Sequence, residues 1–183
     1  VELSLRPSVG FMIFVNYKTF EEGTGERAVF LTKVLEEVAH EAQIKIIPVV
    51  QAADLREITL TSTLEVWTQK IDAVTPGAHT GSITAEAVFD DGAAGTFLNH
   101  SEAKFADFDE LAKASDRAKE IGLKTLIFAK DLQELKDVCS LAPTYVAYEP
   151  PELIGSTDIS VARAQPELIT RAAEISRAAG LPL

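Results

Sequence analysis

Short apolar runs rich in β-branched and aromatic residues alternate with longer amphipathic stretches along the whole chain, and this alternation limits the fold more than any other feature. The run FMIFVN (11–16) carries no polar alternation and reads as a strand buried on both faces. Residues 25–42 then place Ala28, Leu31, Leu35, Val38 and Ala39 on one helical face. The same switch recurs: strand 44–50, short helix 53–58, strand 64–68, a Gly/Pro-rich loop at 74–82, helix 85–91 and strand 95–99. It continues with helix 109–121, strand 124–129, helix 132–141, strand 145–148 and helix 165–179, which stops at Gly180. Strands separated by helices form βαβ units, so the class is α/β with a parallel sheet and helices outside it. Two architectures satisfy that pattern, an open doubly wound sheet and a (β/α) barrel. The first strand-to-helix turn, NYKTFEEGTG, has no GxGxxG, and no GxxxxGK[ST] occurs anywhere, so the phosphate-cradling turns of nucleotide-binding sheets are missing. A (β/α) barrel with about six βα units is the expected architecture.

At 183 residues the chain suits one domain, assigned to residues 11–183 behind an irregular leader at 1–10. A formal net charge of −11 disfavours nucleic acid and anionic membrane as partners, since both require clustered Lys and Arg. No apolar run approaches the roughly 18 residues of a membrane span. The single cysteine, Cys139, excludes an internal disulfide and points to a reducing cytoplasm, with the thiol itself a small core residue.

In a (β/α) barrel the interior is packed with side chains, and chemistry sits where the strands end. Those ends are polar here: Asn16 and Lys18 after the first strand, Gln69 after the third, Asn99, His100, Ser101 and Glu102 after the fourth, and Glu149 after the sixth. Each alone is as readily the start of a loop, a surface lysine or a hydrogen-bonded structural histidine. Together they supply a carboxylate base, an electrophile that polarises a carbonyl oxygen and a cation that holds negative charge, the parts for proton transfer beside a carbonyl. His40 and His79 lie on a helix end and in a loop, without an acid nearby, and read as surface residues. Ser101 follows its histidine directly, which does not suit a nucleophile and base pair. There is no HxH or HExxH pattern, so no metal is expected, nor any cofactor.

Four runs, VNYKTF, QKIDAVTPGAHTGSI, GTFLNHSE and AYEPPELIG, occur in an order and spacing that resembles the triosephosphate isomerase family, above all its shorter archaeal-type members. The resemblance extends from about Phe11 to the end of the chain. It implies a TIM-barrel-like fold and interconversion of dihydroxyacetone phosphate and glyceraldehyde 3-phosphate. By the same resemblance, Asn16 and Lys18 are substrate-binding residues, His100 is a neutral electrophile and Glu149 is the general base. Glu102 supports Lys18, and Gln69 supports the same strand ends. Pro150–Gly155 forms the front of a lid, with the backbone of Gly155 at the substrate phosphate. Residues 75–82 match the loop that docks on a neighbouring subunit, which implies a homodimer in glycolysis and gluconeogenesis.

The sequence departs from that family in three places. Ala103 and Lys104 replace two arginines after HSE, so the ion pair these arginines make behind the site is not expected. Phe128 replaces a cysteine on the fifth strand, which alters packing around Glu149. After the last helix the sequence reads GLPL, where the family continues with two further βα units whose glycine-rich loops bind phosphate. The expectations that follow are an opened or incomplete barrel with free edges on its first and sixth strands, covered by homodimerisation, and isomerase activity that is weak or absent. The alternatives are a non-catalytic homologue and a barrel enzyme acting on an unphosphorylated carbonyl compound.

Overall fold

The computed structural model describes residues 12–150 and 166–183. The leader at 1–10 and the lid beyond Pro150, through Gly155, lie outside the described residues. Six parallel strands form one sheet in the order of the chain: β1 (Met12–Asn16), β2 (Lys45–Val50), β3 (Trp67–Thr68), β4 (Gly95–Leu98), β5 (Lys124–Ala129) and β6 (Tyr145–Tyr148). The helices between them are α1 (Glu26–Ala42), α2 (Ala52–Thr61), α3 (Ala85–Asp90), α4 (Phe108–Ile121) and α5 (Leu132–Cys139), with α6 (Pro166–Ala178) following β6. None of these helices is long and apolar enough to cross a membrane.

The sheet curls into half a barrel, and its two faces bury two separate clusters. Inside the curl, Phe14, Ile47, Val49, Trp67, Phe97, Leu126 and Tyr145 pack on one another. Outside it, Leu98, Ile127 and Val146 meet Leu55 and Ile58 of α2, Leu111 and Ala114 of α4, and Leu135 and Val138 of α5. Strand alternation produces this division, because neighbouring residues of one strand point to opposite faces. Local signals then fix the helix ends. Asp107 and Asp131 accept hydrogen bonds from the first-turn N–H groups of Glu110 and Glu134, and Gly122 ends α4 at φ 96°, where a residue with a Cβ is strained.

Three expectations are corrected. β1 is not buried on both faces: among the described residues it pairs only with β2, and the outward side chain of Ile13 remains 45% exposed. The third strand is shorter than 64–68, because only Trp67 and Thr68 join the ladder while Glu65 turns toward Lys45 and Lys124. The edge of β6 is not wholly free, since the Val146 N–H donates to the Pro182 carbonyl at 3.1 Å.

Residues 74–82 stand out from the body on a tied base. The Asp72 N–H donates to the Ile83 carbonyl at 2.8 Å, and the Ile83 N–H donates back to Asp72 Oδ2 at 2.7 Å. Thr75–Ser82 beyond this tie is exposed throughout.

Candidate active site

At the carboxyl ends of the strands, Asn16, Lys18, Phe20, Gln69, His100 and Glu102 line an open cleft of about 420 Å³. β1 delivers the first group. Asn16 Oδ1 accepts the Lys18 N–H at 2.9 Å, which closes a tight Asx turn, and Lys18 sits in the left-handed region at φ 50°. That conformation disfavours a long side chain, so neighbours must hold it. Gln69 does so from the end of β3: its Nε2 donates to the Lys18 carbonyl at 2.7 Å and to Asn16 Oδ1 at 3.3 Å. Lys18 Nζ then reaches Glu102 Oε1 at 2.8 Å. The hydrogen bond from Lys18 is the main reason the Glu102 carboxyl lies below the usual carboxylate range, against a small opposing effect of burial.

His100 is 8% exposed and lies one residue beyond Asn99 at the end of β4. Its Nδ1 accepts the Glu102 N–H at 3.1 Å, which leaves the ring proton of a neutral imidazole on Nε2. Nε2 faces Glu149 Oε1 at 3.9 Å, too far for a hydrogen bond but close enough for both groups to reach one small molecule. Glu149 Oε2 is buried and makes no hydrogen bond among the described residues. The cleft can therefore present an ammonium group and an imidazole N–H donor, with the Glu149 carboxylate set behind the imidazole on its Nε2 side.

Six of the seven site residues expected from the sequence, Asn16, Lys18, Gln69, His100, Glu102 and Glu149, are brought together in this way. Gly155 lies outside the described residues. Phe128 packs on His100: the two rings are 4.8 Å apart and edge-on at 76°. An ion pair does stand behind the site, since Lys104 Nζ lies 2.8 Å and 2.9 Å from the two oxygens of Glu134. Glu134 was not expected from the sequence to bear on the site. The run DLQE, with its carboxylates three residues apart, announces a helix start, but nothing in it says where the second carboxylate reaches. Among the described residues, no three His, Cys, Asp or Glu side chains gather in a group that could hold a metal.

A family model for triosephosphate isomerase matches residues 11–179. The triosephosphate isomerase of Methanocaldococcus jannaschii is 40% identical over 158 residues, which cover 86% of this chain and 71% of that protein. The triosephosphate isomerase of Metallosphaera sedula is 40% identical over 173 residues, covering 94% and 75%. A crystal structure of triosephosphate isomerase from Bartonella henselae superposes with a TM-score of 0.61 at 21% identity, over 76% of this chain and 67% of that one, and so supports the fold alone. With a match along most of its length to family model and archaeal relatives alike, this chain belongs to the triosephosphate isomerase family.

Proposed function

We propose that the chain interconverts dihydroxyacetone phosphate and glyceraldehyde 3-phosphate through an enediolate, the family's step in glycolysis and gluconeogenesis. Glu149 removes a proton from the carbon next to the carbonyl. The Nε2–H of His100 donates to the carbonyl oxygen as negative charge develops there, and the Lys18 ammonium group stabilises both that charge and the substrate phosphate. Glu149 then returns the proton to the neighbouring carbon, while His100 gives its Nε2 proton to the former carbonyl oxygen and takes the proton of the other hydroxyl, so both transfers balance and the step needs no cofactor. The single observation that carries this reading is the Glu102 N–H donated to His100 Nδ1, which directs the proton of a neutral imidazole toward Glu149.

Turnover is expected to be slow. Lys18 is the one cation lining the cleft among the described residues, and it is already paired with Glu102. Binding energy from a substrate's non-reacting phosphate helps align the reacting carbons, so a thin phosphate grip lowers kcat as well as affinity. The exposed loop at 75–82 suits docking on a second copy, and we assign the protein to the cytoplasm as a homodimer.

A coupled assay for conversion of glyceraldehyde 3-phosphate tests the reaction, comparing the parent with Glu149→Gln. The expected loss is at least about 100-fold, the lower range for a positioned acid or base. Equal rates would leave a non-catalytic homologue as the better reading, and so would a folded parent that neither turns over nor binds a phosphoglycolate-type analogue. Light scattering tests the dimer, which a stable monomer would contradict.

A further inference from the structure

Glu134 is the point where the ends of two strands are tied together. It lies in the first turn of α5, held in place there by its own N–H, which donates to Asp131 Oδ1 at 2.8 Å. Its Oε1 accepts from Asn99 Nδ2 at 3.1 Å and from Lys104 Nζ at 2.8 Å. Its Oε2 accepts from Lys104 Nζ at 2.9 Å and from the Lys130 N–H at 2.6 Å. One carboxylate thus reaches the end of β4, the loop after it and the end of β5.

Asn99 and Lys104 are the two flanks of the turn that carries His100 and Glu102. The turn is closed by the Ala103 N–H, which donates to the His100 carbonyl at 2.8 Å. Asn99 is 4% exposed and left-handed at φ 60°, a conformation that asparagine tolerates but does not adopt unaided. Its amide is spent on holding that conformation, with Nδ2 donating also to the Phe128 carbonyl at 2.9 Å. The ring of that same Phe128 lies edge-on to His100. Any rotation of Asn99 turns the backbone from which His100 departs, and any release of Lys104 loosens the Glu102 N–H that fixes Nδ1.

We infer that Glu134 is a positioning residue, clamping both flanks of the His100–Glu102 turn so that the imidazole holds one tautomer and points Nε2 at Glu149. The inference rests on the reading of His100 as the electrophile. It extends that reading to a residue that lines none of the cleft.

The test is nitrogen NMR of the protein labelled in its three histidines, run beside isomerase kinetics. In the parent, His100 gives one unprotonated and one protonated ring nitrogen. In Glu134→Ala both His100 signals move toward an average of the two tautomers, while His40 and His79 stay where they were as internal controls. kcat falls about tenfold with KM within about twofold, as expected when the reacting group is misplaced and ground-state binding is kept. Asn99→Gly on the Glu134→Ala background recovers about threefold of that loss, because glycine holds a positive φ without a tie. Unchanged His100 signals in folded Glu134→Ala overturn the inference, as does a double variant no faster than the single one. If Glu134→Ala does not fold, Glu134→Gln replaces it, since a neutral amide cannot hold Asn99, Lys104 and the Lys130 N–H together, and unchanged His100 signals overturn the inference there too. A parent without isomerase activity ends the functional reading but leaves the NMR comparison intact, so the two failures are distinguishable.

Discussion

Phe14 on β1 and Tyr145 on β6 stand at opposite ends of the strand order, yet their ring centroids are 5.7 Å apart at an interplanar angle of 69°. Five strand spacings across a flat sheet would separate them by about 24 Å. The contact therefore measures the curl, and Trp67 at 5.0 Å and Phe97 at 5.7 Å from the Phe14 ring fill the space within it. Phe14→Ala is expected to cost about 3 kcal/mol in urea unfolding, toward the low end for a large aromatic truncation because the strand is only half-buried. A double-mutant cycle with Tyr145→Ala should show a coupling of about 1 kcal/mol. Strictly additive losses would mean that the two strands do not meet.

Gly95 shows how tightly the inner layer is built. A Cβ at that position would lie 2.5 Å from Cε2 of the Trp67 indole, which is fully buried and has no room to retreat. Gly95→Ala should destabilise the protein by about 3 kcal/mol, at the upper end of overpacking costs. The chain has a single tryptophan, so its fluorescence reports on this layer directly. The variant's emission should shift to the red before global unfolding, whereas a spectrum and unfolding midpoint like the parent's would show that the indole can move aside.

The parallel fold and the polar strand ends were legible because both rest on local periodicity, which marks each strand and the residue just beyond it. His100 and Glu149 come from the ends of β4 and β6 and meet only because the sheet curls, yet each is visible among the polar groups that directly follow an apolar run. Glu134 was illegible for the opposite reason. Its spacing to Asp131 writes a helix start, while its role comes from the loops after β4 and β5 converging on it in space. The exposed face of β1 was misread because an unbroken apolar run states what a strand can bury and not how many neighbours it has.

At the amino-terminal end of the curl, Glu65 gathers Lys45 at 2.6 Å, Lys124 at 3.0 Å and the Trp67 indole N–H at 2.9 Å. Burial resists its ionisation, but these three donors outweigh burial and lower its pKa to about 2. A pKa lowered by folding contributes stability that is complete above the unfolded carboxylate value near 4.5 and is lost as pH falls toward about 2. The site is partly open to solvent, so the contribution expected is about 1 kcal/mol. Between pH 7 and pH 3, Glu65→Gln should therefore lose less stability in urea melts than the parent does. Parallel pH profiles for the two proteins would remove Glu65 from the acid response.

Glu102 joins two groups in one turn: its carboxylate holds Lys18 and its N–H holds His100 Nδ1. Glu102→Gln keeps the backbone and therefore the imidazole tautomer, but removes the charge that aligns the ammonium group. On the proposed reaction, that loss falls on the developing oxyanion and on substrate phosphate together, so kcat/KM should drop about tenfold with changes in both kcat and KM. The pH dependence follows from the direction of the shift. Lys18 holds the folded carboxyl below the usual range, so the ion pair persists as pH falls through ordinary carboxylate values and is lost only beneath them. The ratio of parent to variant kcat/KM should accordingly stay level from pH 8 to pH 5 and shrink only in stronger acid. A ratio that collapses between pH 7 and pH 5 would assign the effect to a group other than Glu102.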